Sequence, residues 1–549
     1  MSGTTTAGGT TAGYTPVAEA PAGSGGRRAR REAEQQTRDG GGRLAALLAF
    51  LLPSAAALAL ILRGIGHREL WRDEHATWWA ASLSLHDLSR LIRSSDVVLA
   101  PYYVLMHFWV SLAGDSPTAM RIPGAVAMAS SAGLLALLGR RLFTTQTGLL
   151  AGFLFAVVPT VTRYGQEIRP YAFAVAAVLL STLLLARALE RPSFKVWVGY
   201  TFTVPMIGWS QLASLAVLGA HLTMVLKARR SGDRIVGWAY AAAGTLGLCF
   251  VAPMAIQGSR QSGQIDWGDP VLKDLVDFPK NLFGSWAVAG PVMALGALGM
   301  VFAGRWAPAL AVWIVLPPLA TYVTASQLHL FLPSYLLFTA PAWVLLAAVA
   351  VCRIAGPVAG AKAGTGAAAR RGFGWVLAVA VVAGLAWQAL PGIRETRENA
   401  LGEPDFHGAA HLVEAGQRKG DGIVFSGKLS ERRAMAYELR DDKGRPRDVL
   451  MYRTPQELGS FGATQCPQPA KCLADADRLW LVSTTREGQP LSGMPKATAT
   501  ATAVRRNFRV VKTRELEGLT LVLLERTARA ATGGTTDEKE DVAHRKIYS

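Results

Sequence analysis

Apolar and polar positions divide the chain into three stretches. Residues 1–42 hold almost no large apolar side chain and are rich in Gly, Thr, Ala and Arg, including Arg27, Arg28, Arg30 and Arg31. Such a segment buries too little surface to offset its chain entropy, so a disordered N-terminus is expected. Residues 44–62 then run for nineteen positions without a charge. At about 1.5 Å per residue this is close to the roughly 30 Å hydrocarbon core of a bilayer, and it predicts a first transmembrane helix. Apolar runs of similar kind recur near 120–139, 147–162, 170–187, 235–257, 283–304 and 373–393. The 47 uncharged residues 306–352 suffice for two spans with a break near Gln327–Ser334. The 31 residues 196–226 read as a hairpin broken at Pro205 and Gly208–Gln211. The total is eleven spans within a membrane domain of residues 43–393. Residues 101–114 are apolar but short and contain His107. They read as an interfacial or re-entrant helix inside a long first loop, 64–117.

Beyond residue 394 the pattern shortens and charge returns. Phe406–Gln417 has helical spacing; Gly422–Phe425, Val449–Tyr452, Leu479–Ser483 and Leu519–Glu525 read as strands. Residues 394–527 are therefore expected to form a small α/β domain, followed by a polar tail, 528–549. The fold class expected is an all-α polytopic membrane protein of about eleven helices with an α/β C-terminal domain.

Composition sharpens this picture. Of 549 residues, 57 are Lys or Arg and 39 Asp or Glu, a net charge of +18, yet only 17% are charged and mean hydropathy is +0.24. A soluble domain carries about 25% charge. The values exclude a soluble enzyme and a mainly disordered chain. The basic excess marks cytoplasmic loops rather than a nucleic-acid partner. Arg140, Arg141, Arg187, Arg191, Lys195, Lys227, Arg229, Arg230, Arg234, Arg305, Arg353, Lys362, Arg370 and Arg371 fall on one side of the eleven-span scheme. That side is cytoplasmic and includes the N-terminus; the C-terminal domain lies outside. Cys466 and Cys472 can bridge locally in that setting, while Cys249 and Cys352 sit in apolar runs. The N-terminal arginines fit orientation or contact with anionic membrane lipids.

Two segments carry candidate chemistry. Trp71-Arg72-Asp73-Glu74-His75 places two adjacent carboxylates where the chain leaves the first span, with Trp78 and Trp79 following. Carboxylates near a bilayer are costly unless paired, hydrated or functional. A solvated loop with interfacial tryptophans would use the same residue types. Arg163-Tyr164-Gly165-Gln166-Glu167-Ile168-Arg169-Pro170-Tyr171 packs two arginines, a glutamate and two tyrosines into the next loop on the same side. Arginine suits phosphate because its planar fork offers several fixed donors; a salt-bridged turn with aromatic anchors fits equally. A third outer loop, 258–282, contains Asp266, Trp267, Asp269, Asp274 and Asp277 and reads as a polar surface loop or a cover for the site. His407 and His411 lie four apart but lack a third ligand. No P-loop or GxGxxG pattern occurs.

The order WRDE after the first span, then PYYVLMHFW, GRRLF and YGQEIRPYA, resembles bacterial glycosyltransferase family 39 over residues 40–190. The resemblance implies a GT-C fold and a polyprenyl-phosphate-linked sugar donor, mannose foremost. It also implies transfer on the outer face with inversion at the anomeric carbon. It carries the family's acidic pair onto Asp73 and Glu74, and its second-loop motif onto Gln166, Glu167, Arg169, Pro170 and Tyr171. Tyr102 and Tyr103 match the paired tyrosines, although Val98-Leu99-Ala100-Pro101 stands where relatives often carry His-Pro. Ser334, before Tyr335, stands where relatives often carry arginine, which leaves Arg163, Arg169 and Lys280 as candidate phosphate cations.

Such a donor already holds a good leaving group. The reaction needs a base for the acceptor hydroxyl and positive charge for the departing phosphate. Asp73 is the expected base, Glu74 orients the acceptor or a divalent cation, and Arg163 and Arg169 stabilise phosphate. The acceptor is a protein, a lipid or a cell-wall glycan. A transporter or lipid-linked sugar flippase is the alternative; it would favour charges near the bilayer midplane and internal repeats. Placing Asp73 and Arg169 on opposite sides of the bilayer would end the transferase reading.

Overall fold

The computed structural model describes residues 24–230, 234–261, 270–356, 365–398, 403–426, 429–484, 491 and 498–527. The expected polar tail, the first part of the expected disordered N-terminus, and Asp266, Trp267 and Asp269 lie outside the described residues. Helix α1 (Ser24–Leu62) starts before the first apolar run. Arg27–Gln36 consists of Arg, Ala, Glu and Gln, all strong helix formers, so local propensity favours helix there.

Three helices fill the first loop: α2 (Arg72–Ser82), α3 (Leu85–Ser94) and α4 (Ala100–Ala113). Helix α4 covers the short apolar segment expected there, with Pro101 in its first turn, where the missing N–H costs nothing. The bundle continues with α5 (Pro117–Leu142), then α6 (Thr145–Ala156) and α7 (Pro159–Gly165), which meet at a 65° bend. Pro159 causes the bend, since proline cannot donate to the preceding turn and clashes with it. Helix α8 (Tyr171–Glu190) follows, then the hairpin of α9 (Phe194–Ser210) and α10 (Val217–Arg230), broken where Gly208–Gln211 predicts.

After α11 (Arg234–Gln261), the expected polar loop instead contains α12 (Leu272–Phe283). It turns by 92° into α13 (Trp286–Phe302) at Gly284, whose φ of 89° suits only glycine without strain. Helix α12 buries Phe278, Leu282 and Phe283 while Asp274 and Lys280 face outward, so its apolar stripe is hidden among charges in the sequence. Helices α14 (Ala307–Val323), α15 (Ala325–Leu328), α16 (Ala340–Ile354) and α17 (Thr365–Glu395) complete the bundle. Among the described residues seven helices are long and apolar enough to cross a membrane, or nine with the two bent pairs as single spans. Two shorter apolar helices, Val97–Ala113 and Leu212–Ala228, fall outside that count, which roughly matches the expected eleven. Close packing comes from small residues: a Cβ on Gly148 of α6 would overlap the Ala136 carbonyl of α5.

The C-terminal domain is a five-stranded sheet of order β2-β1-β5-β7-β6, built from β1 (Gly422–Phe425), β2 (Arg447–Asp448), β5 (Arg478–Ser483), β6 (Phe508–Leu516) and β7 (Leu519–Arg526). A separate two-stranded ribbon joins β3 (Met451–Arg453) and β4 (Thr464–Gln465). Strands β2 and β5 run parallel to β1, whereas β7 runs antiparallel to β5 and β6. Strand alternation splits the core in two. Ile423, Phe425, Trp480, Val482, Leu521 and Leu523 face α18 (Phe406–Gly416) and α19 (Leu429–Glu438). Val424, Leu479, Leu481, Val522 and Leu524 face the helix Ala499–Asn507. Strand β6, absent from the expected set, is a largely exposed edge strand. Cys466 and Cys472 form a disulfide.

Candidate active site

Asp73 and Glu74 occupy the first turn of α2, where acidic side chains favour the helix dipole. Their surroundings differ completely. Glu74 is fully buried and Arg121 of α5 lies against it. Arg121 Nε and Nη2 donate to the two Glu74 carboxylate oxygens at 3.1 and 2.7 Å. Its other donors reach the carbonyls of Ile65, Arg68 and Glu69 at 2.8, 2.8 and 3.2 Å. All five guanidinium N–H groups are thus used. Glu74 also accepts from the Ile168 backbone N–H at 2.9 Å and the Trp71 N–H at 3.4 Å. Burial opposes the Glu74 charge, but Arg121, Arg68 and the Ile168 N–H outweigh it and hold the pKa below its ordinary value. One buried pair therefore ties the first loop, α2, α5 and the second loop together.

That clamp brings Asp73 to Arg169. Arg169 Nη2 lies 3.7 Å from Asp73 Oδ2, and the Asp73 side chain keeps 24% exposure. Arg72 Nε lies 3.5 Å from the other oxygen. Burial opposes the Arg169 charge, yet Tyr171, Asp73, Tyr103 and Tyr335 more than compensate and raise its pKa. Tyr171 accepts from Arg169 Nε at 3.4 Å and stacks near Tyr335, with ring centroids 6.0 Å apart. The expected meeting of the two loops at one end of the bundle is observed.

Other expected site residues are distributed differently. Arg163 is not drawn to Asp73: its Nε lies 3.2 Å from Glu167, and its guanidinium lies over Tyr164. Arg68 Nη2 lies 3.7 Å from the same Glu167 oxygen. Burial raises the Glu167 pKa against these two arginines. Gln166 Nε2 donates to the Ile61 carbonyl at 2.5 Å, fastening the second loop to the end of α1. Tyr102 is buried beside Phe173, and Tyr103 donates to Asp96 at 3.1 Å. Lys280 is exposed on α12. His407 lies 3.0 Å from Glu438 and meets His411 edge to face, with ring centroids 6.5 Å apart. Among the described residues no group of three or more His, Cys, Asp or Glu is gathered as for a metal ion.

Three further residues matter here and carry little signal in the sequence. Arg121 sits at the head of an apolar run, 47 positions from its partner. Asp96 has a left-handed backbone (φ 54°) and faces Arg169 and Asp73; desolvation raises its pKa, opposed by Arg169 and Tyr103. Its one sequence signal is a lone carboxylate between two apolar segments. Arg433 comes from the C-terminal domain, whose α19 docks on α2: Tyr437 packs on Trp78 with centroids 5.0 Å apart, and Phe461 packs on Trp79 at 5.5 Å. Trp78 and Trp79 are consequently buried rather than interfacial.

A helical bundle with a carboxylate–arginine cluster at one end, capped by an α/β domain, defines a class: a multi-pass membrane protein of the GT-C glycosyltransferase fold. Residues 99–256 match the family described as dolichyl-phosphate-mannose-protein mannosyltransferase. The apo crystal structure of ArnT from Cupriavidus metallidurans is 14% identical with a TM-score of 0.57, covering 86% of this chain and 97% of that one. ArnT bound to undecaprenyl phosphate is also 14% identical, with a TM-score of 0.55 over 87% and 98% of the two chains. No curated protein matches by sequence. The chain thus has a fold similar to that of ArnT across most of its length, and residues 99–256 resemble that mannosyltransferase family.

Proposed function

We propose that the chain is a membrane glycosyltransferase that moves a sugar from a polyprenyl-phosphate-linked donor to an acceptor hydroxyl outside the cytoplasm. The observation that carries this reading is the 3.7 Å approach of Arg169 to Asp73 at an accessible end of the bundle. Asp73 takes the acceptor proton as the hydroxyl oxygen attacks the anomeric carbon. The bond from that carbon to the phosphate oxygen breaks, its electron pair stays on the phosphate, and Arg169 stabilises the charge that develops. A single displacement inverts the anomeric centre. The lipid tail remains in the bilayer while its head reaches the loops. Mannose is the sugar favoured by the description of the matched family; protein, lipid and glycan acceptors all fit a hydroxyl nucleophile. Glu74, spent on Arg121, positions the pair instead of touching the acceptor.

The test uses purified protein and labelled polyprenyl-phosphate sugars. Asp73→Asn should lower turnover at least about 10²-fold, the lower range for a general base, with membrane insertion and melting unchanged. Near-normal turnover removes Asp73 from the mechanism. Movement of sugar across a sealed vesicle without release of polyprenyl phosphate would instead favour the transporter alternative.

A further inference from the structure

One arginine reaches this end of the molecule from the C-terminal domain. Arg433 lies on α19 and is largely enclosed. Its Nη1 donates to the Phe461 carbonyl at 3.1 Å, and its guanidinium lies 5.2 Å from the Phe461 ring centroid. Its Nε is buried without a hydrogen-bond partner among the described residues. The ion pairs of Asp73 go to Arg72 and Arg169 instead. The titratable groups that act most strongly on Arg433 are Tyr103, Asp73, Asp96 and Arg72, all from the first loop. Burial pushes its guanidinium below its ordinary value, against the pull of Tyr103, Asp73 and Asp96.

An enclosed guanidinium with an open donor is costly unless something completes it. The charges nearby indicate what. Arg169 and Arg433 both act on Asp96, so an anion arriving at this rim would meet two guanidinium groups. The position is fixed rather than accidental. Trp79 and Tyr103 pack on Phe461, at 5.5 and 6.4 Å between centroids, and Tyr437 donates to the Asp115 carbonyl at 3.2 Å.

We infer that Arg433, delivered by the C-terminal domain, binds the phosphate of the lipid-linked donor and holds it as the leaving group. This rests on the transferase reading above. When the sugar–oxygen bond breaks, a phosphodiester carrying one negative charge becomes a phosphomonoester that can carry two. A second guanidinium at the same rim as Arg169 therefore gains most as the reaction proceeds. The C-terminal domain thereby completes the donor site.

The experiment measures binding of undecaprenyl phosphate, and of undecaprenol as the uncharged control, to full-length wild type, Arg433→Gln, Arg433→Lys and Asp73→Asn. Arg433→Gln should weaken undecaprenyl phosphate binding roughly 10- to 100-fold, the scale of one or two charge-assisted hydrogen bonds. It should leave undecaprenol binding and melting unchanged. Arg433→Lys should recover part of the loss, and Asp73→Asn should bind while failing to transfer. Competition by inorganic phosphate distinguishes a general phosphate site from a lipid-specific one; either supports the assignment. Binding by Arg433→Gln within twofold of wild type overturns it. If Arg433→Gln melts early, Arg433→Lys decides: weakened undecaprenyl phosphate binding with undecaprenol binding intact supports a geometric phosphate fork, and losses in both overturn it. Wild type that binds undecaprenyl phosphate through Arg433 yet transfers no sugar overturns the transferase reading alone.

Discussion

Two neighbouring carboxylates on α2 meet two arginines in opposite ways. Beneath the helix, Glu74 and Arg121 lie 2.7 Å apart, sealed from solvent, with every guanidinium donor used. Above it, Asp73 and Arg169 stand 3.7 Å apart with Asp73 still reachable. A buried ion pair with saturated hydrogen bonds has no capacity left for a substrate. A loose pair at an open rim has lone pairs and donors to offer. The difference separates the residue that builds the site from the residue that works in it, although the two are adjacent in sequence.

Removing one side of the sealed pair tests this contrast most severely. Arg121→Ala should destabilise the folded protein by about 3–5 kcal/mol, because it strands the Glu74 charge and three backbone carbonyls. Thermal melting in detergent checks it, and transfer should fall with folding. Because the Glu74 pKa is depressed, its contribution is present above the ordinary carboxylate range and is lost as pH falls through the folded value. The wild-type advantage over Glu74→Gln should therefore shrink on acidification. A double variant Glu74→Leu/Arg121→Met should remain destabilised, since Met cannot serve the carbonyls of Ile65, Arg68 and Glu69. Full recovery would mean that the pair matters only as charge, and the clamp would be refuted.

Why is one pair legible in the sequence and the other not? Asp73 and Arg169 lie in short polar segments between long apolar runs, where a charge stands out. The spans, the breaks at Gly208–Gln211 and Gln327–Ser334, and the strands at β1, β5 and β7 are legible for the same reason: each is a change of period or of polarity. Arg121 looks like the edge of a span, and its role depends on carbonyls more than fifty residues away. Helix α12 hides its stripe among aspartates and lysines, and β6 is an edge strand that exposes Val510 and Val511 as well as charged residues, so no alternation marks it. Arg433 belongs to a domain without a readable motif, and it reaches the site only because α19 docks on α2. Long-range docking leaves no local pattern to read.

A milder effect concerns Asp96, the second carboxylate of the open rim. Its raised pKa means that the ionised form is disfavoured in the folded state. That penalty sets in as pH rises through the ordinary aspartate range and is complete above the folded value. Asparagine tolerates the left-handed backbone at this position, so Asp96→Asn removes the charge without straining the turn. At pH 7 the variant should melt at least as high as wild type, with the difference closing below about pH 4, while turnover drops roughly tenfold through loss of one charged partner of Arg169. A variant that is less stable at pH 7 would show that Asp96 is structural, like Glu74.

Weaker still is the contribution of a histidine that the C-terminal domain places beside the docking helix. His407 Nδ1 is 3.0 Å from Glu438 Oε2, and the other Glu438 oxygen lies 3.9 Å from His75 of α2. The Glu438 hydrogen bond raises the His407 pKa. A raised histidine contributes fully below its ordinary value near 6.5 and loses its contribution as pH rises through the folded value. The His407 side chain is 63% exposed, so solvent screening keeps the pair under about 1 kcal/mol. His407→Gln should therefore lower the melting temperature slightly at pH 6 and not at pH 8.5, with transfer at pH 8.5 unchanged. A difference that grows with pH would mean that the pair does not hold a protonated histidine, and that the domain rests on α2 through its aromatic contacts alone.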